Sequence, residues 1–212
     1  MQSIKLVVTA LTIGACSVAL AESEFGIYGG LQGSPHSTVE NTSTKSNPES
    51  LFTGWKGESF SFPIYIGMRY THWLDDQWGY SLNYVHTKAI STDQAKNGYT
   101  RLEFTDGANP VTVLAMRRFT YREVKPYVGA GLGISVPHVE VQWSGSTKTF
   151  EYQYGGPVAT VVAGFSYPYN DKWSVFTDFQ MHYMKINAAI DSGRLKTNLI
   201  TNALNVGVSY RF

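Results

Sequence analysis

His138 and Glu140 stand two residues apart in Pro126–Trp143, a stretch of period-two alternation, so their Cβ atoms leave the same side of one strand. An imidazole beside a carboxylate can do two kinds of work. The carboxylate can orient the imidazole as a general base, or both groups can ligate a metal. His86 closes another alternating stretch on the corresponding parity. Two imidazoles and a carboxylate with open positions form the ligand set of non-haem iron oxygenases, and imidazole suits copper as well. His36 in SPHS or Asp106 in RLEFTDG could replace one ligand, and Arg101 and Glu103 are further polar groups of that second segment. Each also has an ordinary reading, a salt-bridged loop cap or an Asp-Gly turn, that involves no chemistry. The elements that carry these residues therefore matter as much as the residues.

Those elements read as strands. Val128, Ala130, Leu132, Ile134 and Val136 share one parity, while Tyr127, Gly129, Gly131, Gly133 and Ser135 share the other. That is the period of a strand whose two faces meet different surroundings. Seven more segments behave similarly. Phe25–Leu31 opens the series, and Phe60, Phe62, Ile64, Ile66, Met68 and Tyr70 line one side of the second. Trp78, Tyr80, Leu82 and Tyr84 line the third, with His86 continuing their parity. The fourth, VTVLAMRRF, is apolar on both parities, so its facing stays open and Pro110 could shift its phase. The sixth runs from about Pro157 to Tyr167, the seventh from Trp173 to Tyr183, and the last sets Leu204, Val206, Val208, Tyr210 and Phe212 together. Short turns at Asp75, Arg122 and Asp171 alternate with longer connections at 34–59, 88–109, 144–153 and around Asp191–Arg194.

The chain opens with Lys5, an apolar run from Leu6 and a small-residue exit at Ala19 and Ala21, the pattern of a secretory signal peptide over 1–21. A competing cut before Cys16 would leave that cysteine for acylation. Cleavage after Ala21 removes Lys5 and the sole cysteine, leaving residues 22–212 formally neutral. Disulfide and thiolate chemistry are then excluded, and no basic surface points to nucleic acid. The composition, with 14 Tyr, 11 Phe and 20 Gly, is that of strands and turns. No later apolar run is long enough for a spanning helix, so a bilayer would be crossed by a closed barrel.

The fold expected is all-β: an eight-stranded antiparallel transmembrane β-barrel of the bacterial outer membrane, its apolar parities facing lipid and its short turns periplasmic. An aromatic carboxy-terminal strand fits it. A soluble ligand-binding barrel would need the apolar parity turned inward, and the Tyr, Trp and Phe girdle at the strand ends argues for membrane interfaces instead. A barrel of this size is filled by its own side chains. Arg69, Asp178, His182 and Arg211 on the inward parity are expected to form a neutralised plug. His86, His138 and Glu140 are expected to point outward at the outer-leaflet end.

YTRLEFTDGANPVTVLAMRRF, VKPYVGAGLGISVPHVEV, WSVF and TNALNVGVSYRF resemble the outer-membrane lipid A oxidases of rhizobia and their relatives, with LEFTDG and PYVGAGLG…PHVE as the specific parts. The first, third and fourth long loops resemble that family less. The resemblance implies oxygen-dependent oxidation of the proximal glucosamine of lipid A to the aminogluconate form, with hydrogen peroxide as the second product. It brings no assigned catalytic residues with it. From the residues themselves, His138, Glu140 and His86 are the candidate catalytic groups, and the same three with His36 and Asp106 are the candidate ligands for iron or copper. The expected partners are lipopolysaccharide of the outer leaflet and the barrel assembly machinery, for a monomer. Two other readings stay open: a non-enzymatic barrel serving envelope integrity or surface binding, and a lipid A deacylase, for which Ser135 points the wrong way.

Overall fold

The computed structural model describes residues 21–44, 50–93, 95 and 98–212. The expected signal peptide, apart from Ala21, and Cys16 lie outside the described residues. The described chain forms thirteen strands: β1 (Glu22–Asn41), β2 (Ser50–Lys56), β3 (Ile66–Trp73), β4 (Trp78–His86), β5 (Ala89–Ser91), β6 (Tyr99–Phe104), β7 (Pro110–Arg118), β8 (Lys125–Ser135), β9 (His138–Trp143), β10 (Thr149–Tyr152), β11 (Gly156–Pro168), β12 (Trp173–Ile190) and β13 (Gly193–Arg211).

Eight of them close into an antiparallel barrel in the order β1, β13, β12, β11, β8, β7, β4, β3, with β3 returning to β1. Both ends of the barrel chain meet at the short-turn side, where the Phe212 amide donates to the Ser23 carbonyl at 3.0 Å. The alternating pattern decides which way each wall faces. Leu132 is 72% exposed and Val206 63%, while Tyr127, Ser135 and Ala203 between such residues are buried. The lipid-facing assignments on β1, β3, β8, β11, β12 and β13 hold. β7, which is apolar on both sides, turns Val111, Val113, Ala115 and Arg117 outward and Thr112, Leu114, Met116 and Arg118 inward. Its second apolar row was unreadable as a facing because it fills the lumen rather than meeting lipid.

The lumen is plugged by a polar network. The Arg69 guanidinium donates to Asp178 Oδ2 at 2.6 Å, the same oxygen accepts from the Tyr127 hydroxyl at 2.7 Å, and Asn205 donates to Oδ1 at 2.8 Å. Tyr28, Asn83 and Gln180 extend it. His182 is buried against Thr160. Arg211 does not join this plug; it lies at the short-turn mouth, where it and Arg118 both pair with Glu22. Two charges out of water are tolerable here because every Asp178 lone pair in reach has a donor.

The long connections differ most from the sequence reading. Of the 34–59 segment, residues 34–41 continue β1 and residues 50–56 form its partner β2. Together with β5, β6, β9, β10 and the upper parts of β12 and β13 they build a second storey on the barrel. The inside of that storey is mainly apolar: Val39, Leu51, Trp55, Leu102, Phe104, Val139, Val141, Trp143, Ile186 and Leu195 are among its buried residues, with hydrogen-bonded pairs such as Ser37–Thr197 and Asn41–Tyr99 between them. Its edges are tied by Gln153. The Gln153 amide donates to the Ala189 carbonyl at 2.8 Å, its oxygen accepts from the Ala189 amide at 2.7 Å, and Asn187 N–H donates to the Gly155 carbonyl at 2.7 Å.

The two sides of the barrel differ in height. At about 3.3 Å per residue and a tilt of about 40°, β12 with 18 residues rises about 45 Å. β3 with 8 residues rises about 20 Å.

Candidate functional site

Pro137 ends β8, and the chain changes neighbours there: β8 lies between β7 and β11, whereas β9 lies between β6 and β10. The parity nevertheless continues. Val139, Val141 and Trp143 enter the apolar interior of the upper storey, so His138 and Glu140 take its outer face. β6 does the same, with Leu102 and Phe104 inside and Arg101 and Glu103 outside. The register sets Glu103 directly across from Glu140. Two motif stretches, LEFTDG and PHVE, therefore meet on one face.

The facing expected for His138 and Glu140 is right in parity and wrong in environment. They do not lie open to lipid. His138 is 4% exposed and Glu140 7%. β10 supplies the cover: the His138 ring sits 4.5 Å from the Phe150 ring centre and 4.7 Å from that of Tyr152, both of which are exposed. The sequence over 144–153 reads as a loop, whereas Thr149–Tyr152 forms the edge strand that covers His138. Lys148 is the residue of this face that the loop reading leaves out. Its ammonium pairs with Glu140 Oε1 at 2.7 Å. The alternation of Lys148, Phe150 and Tyr152 was the available signal.

Around this pair the contacts are definite. Arg101 donates to Glu103 at 2.9 Å and approaches Glu140 at 3.8 Å, and the Thr105 hydroxyl donates to Glu140 Oε2 at 3.1 Å. Burial and the neighbouring Glu140 carboxylate push the Glu103 carboxyl up from its usual value, against Arg101. Burial would also raise Glu140, but hydrogen bonds from Lys148 and Thr105 and the nearby cations carry it below its usual value. Two carboxyl groups in one patch are thus driven apart, the arrangement that separates an acid from a base. Beside them, His138 Nδ1 faces Asp106 Oδ2 at 3.5 Å. That nitrogen is buried without a hydrogen-bond partner.

His86 and His36 do not join the cluster. His86 stands behind the 104–109 turn, against Gly107, with its Nδ1 2.9 Å from the Ile64 carbonyl. Loop 57–65 and that turn bury it, so it does not face lipid either. His36 is exposed on β1 and stacks on Phe52, beside Gly54 and Thr92, across β2 and β5 from β6. Among the described residues no three His, Cys, Asp or Glu side chains are gathered so as to hold an ion. Glu140 has its oxygens engaged by Lys148 and Thr105, and His86 is separated from His138 by a turn of backbone. The residues present do not fit the iron or copper centre expected from their types.

Ser135, the nucleophile a deacylase would want, is buried on the inward parity and donates to the Ala108 carbonyl at 2.7 Å. It is not available to the His138 face.

No curated protein sequence matches this chain. Among solved structures, it is similar to outer membrane protein OprG of Pseudomonas aeruginosa, at 15% identity over 91% of this chain and 94% of that one, with a TM-score of 0.50. Outer membrane protein AlkL, solved in lipid bilayers, is 10% identical over 100% of this chain and 97% of that one, with a TM-score of 0.50. Neisserial surface protein A is 15% identical over 91% of this chain and 97% of its own, at 0.47. At such identities the likeness speaks to fold alone. The family model described as outer membrane protein beta-barrel domain matches residues 6–212. With that match, a closed barrel of eight strands and an apolar belt facing outward, the chain belongs to the outer membrane protein beta-barrel domain family and its place is the bacterial outer membrane.

Proposed function

We propose that this barrel modifies lipid A of the leaflet around it, oxidising the proximal glucosamine. The observation that carries the reading is the convergence of LEFTDG and PHVE. The stretches that carry the resemblance to lipid A oxidases, 35 residues apart at Thr105 and Glu140, come together on one outer face of the upper storey. The substrate would be a glucosamine whose anomeric hydroxyl is free. Its O–H proton and its C1–H hydrogen leave with two electrons, oxygen is reduced to hydrogen peroxide, and water opens the resulting lactone to the aminogluconate. His138, turned toward Asp106, is the residue assigned to receive the hydroxyl proton, and Glu140, held ionised by Lys148 and Arg101, supplies the negative charge beside it. The electron carrier is not assigned to any side chain of the cluster.

Lipid A extracted from cells with and without the gene tests this directly by mass. The expected result is a one-oxygen increment that depends on the gene and on molecular oxygen. An identical lipid A profile in both strains overturns the oxidase reading. It would leave the second one, a non-enzymatic barrel for envelope integrity or surface binding, which the internal pairing of Arg101 and Lys148 with the carboxylates favours.

A further inference from the structure

Between β2 and β3 the chain runs from Gly57 to Tyr65 without strand structure, and it is built inside out. Phe60 is 78% exposed, Phe62 92% and Ile64 48%, while Ser59 and Tyr65 are buried. A loop bathed in water would bury such side chains and leave its carbonyls to solvent. Here the apolar side chains are outside and four carbonyls are taken up within the protein. The Glu58 carbonyl accepts from Ser61 N–H at 3.1 Å and the Ser59 carbonyl from Tyr65 N–H at 2.8 Å. The Ser61 carbonyl accepts from the Lys88 ammonium at 2.9 Å, and the Ile64 carbonyl lies 2.9 Å from His86 Nδ1, which carries the proton in that contact. Internal satisfaction of the backbone is what hydrocarbon demands, because no water is present to replace a missing partner.

The position agrees. β3 rises about 20 Å, short of the apolar band of about 25 Å that such a barrel presents. Ile64, Phe62 and Phe60 continue the sequence parity of Ile66 and Met68, which face lipid. We propose that residues 60–64 are seated among the acyl chains of the outer leaflet and complete the apolar wall where β3 stops. The occupant of this surface is lipid, and the surface is continuous with the lipid-facing wall below it. His86, whose Nδ1 is taken by the Ile64 carbonyl, then serves the membrane seat and not the His138 cluster.

The only cysteine in the sequence is Cys16, so single labels are clean in a Cys16→Ser chain purified from outer membranes and reconstituted in phosphatidylcholine vesicles. Nitroxides at Phe62→Cys, Met68→Cys and Ser192→Cys are compared by their broadening with oxygen and with a water-soluble nickel chelate. Phe62 is expected to match Met68, broadened by oxygen and shielded from nickel, with Ser192 at the hairpin tip showing the opposite. Nickel broadening at Phe62 like that at Ser192 overturns the proposal, and so does a label shielded from both reagents, which would mean a protein cover. Phe60→Cys repeats the measurement independently, and only chains that migrate as heat-modifiable barrels are scored.

Discussion

Replacing Asp178 with alanine should unfold the logic of the lumen. Asp178 is 2% exposed and accepts from Arg69 at 2.6 Å, Tyr127 at 2.7 Å, Asn205 at 2.8 Å and Gln180 at 3.2 Å. Its removal leaves the Arg69 guanidinium, itself 7% exposed, without a counter-charge in a closed interior. Breaking a buried pair on one side costs about 3–5 kcal/mol. At about 1.4 kcal/mol per tenfold, the folding constant should fall by roughly two to three and a half orders of magnitude. With a urea slope of about 2 kcal/mol/M, the unfolding midpoint should drop by about 2 M. Urea titration of refolded barrel, read by heat-modifiable migration, measures this. Removing both charges, Arg69→Met with Asp178→Leu, should recover most of the loss, since apolar replacement of a buried pair is often neutral. If Asp178→Ala alone stays within about 0.5 kcal/mol of wild type, the size of an ordinary surface change, Arg69 has water beside it. The lumen is then wet and the plug reading is wrong.

His138→Ala and Glu140→Ala should each abolish the one-oxygen increment in lipid A while the barrel still inserts and remains heat-modifiable; full activity in either variant removes that residue from the proposed chemistry. Lowering the pH should protonate Glu103 before Glu140, because burial and its neighbour raise the first while Lys148 and Thr105 hold the second down. The Lys148–Glu140 contribution is therefore present above the ordinary glutamate value and is lost as pH falls through Glu140's lowered one; carboxyl-carbon NMR titration gives the order, and the reverse order refutes it. Phe104→Ala in the apolar upper storey should cost about 3–5 kcal/mol and expose β6 and β9 to protease added outside cells. The barrel below, which has its own core, should keep its urea midpoint.

Where two faces of a strand meet different media, as along Val128–Ile134 or Leu204–Val208, alternation specified the wall residue by residue. The lumen was legible for the complementary reason, since Arg69 and Asp178 on inward parities can only be tolerated as a pair. What could not be read was the upper storey. There both sides of β9 are buried, Val139 by the core and Glu140 by Lys148 and the β10 aromatics, so parity no longer reports exposure. The convergence of Glu103 with Glu140 and of Asp106 with His138 depends on a change of strand partners after Pro137. No local pattern encodes that change. His86 was misplaced because a polar group on a lipid-facing parity was read as chemistry when the backbone of a neighbouring loop needed its proton.

The Gln153 tie also bears on crowding. The upper part of β12 rises beyond its last pairing with β11 at Met184, and the amide and carbonyl of Ala189 on that margin are taken by one side-chain amide. The carboxamide turns one N–H and its oxygen to Ala189, the same pair a neighbouring strand would present, while its second N–H donates to Glu151 Oε1 at 3.1 Å. Gln153 therefore acts as a stand-in for a strand one residue long. In a membrane where identical barrels collide constantly, that occupation denies a second molecule the register it would need to extend the sheet, and fibre-like growth from this margin is blocked.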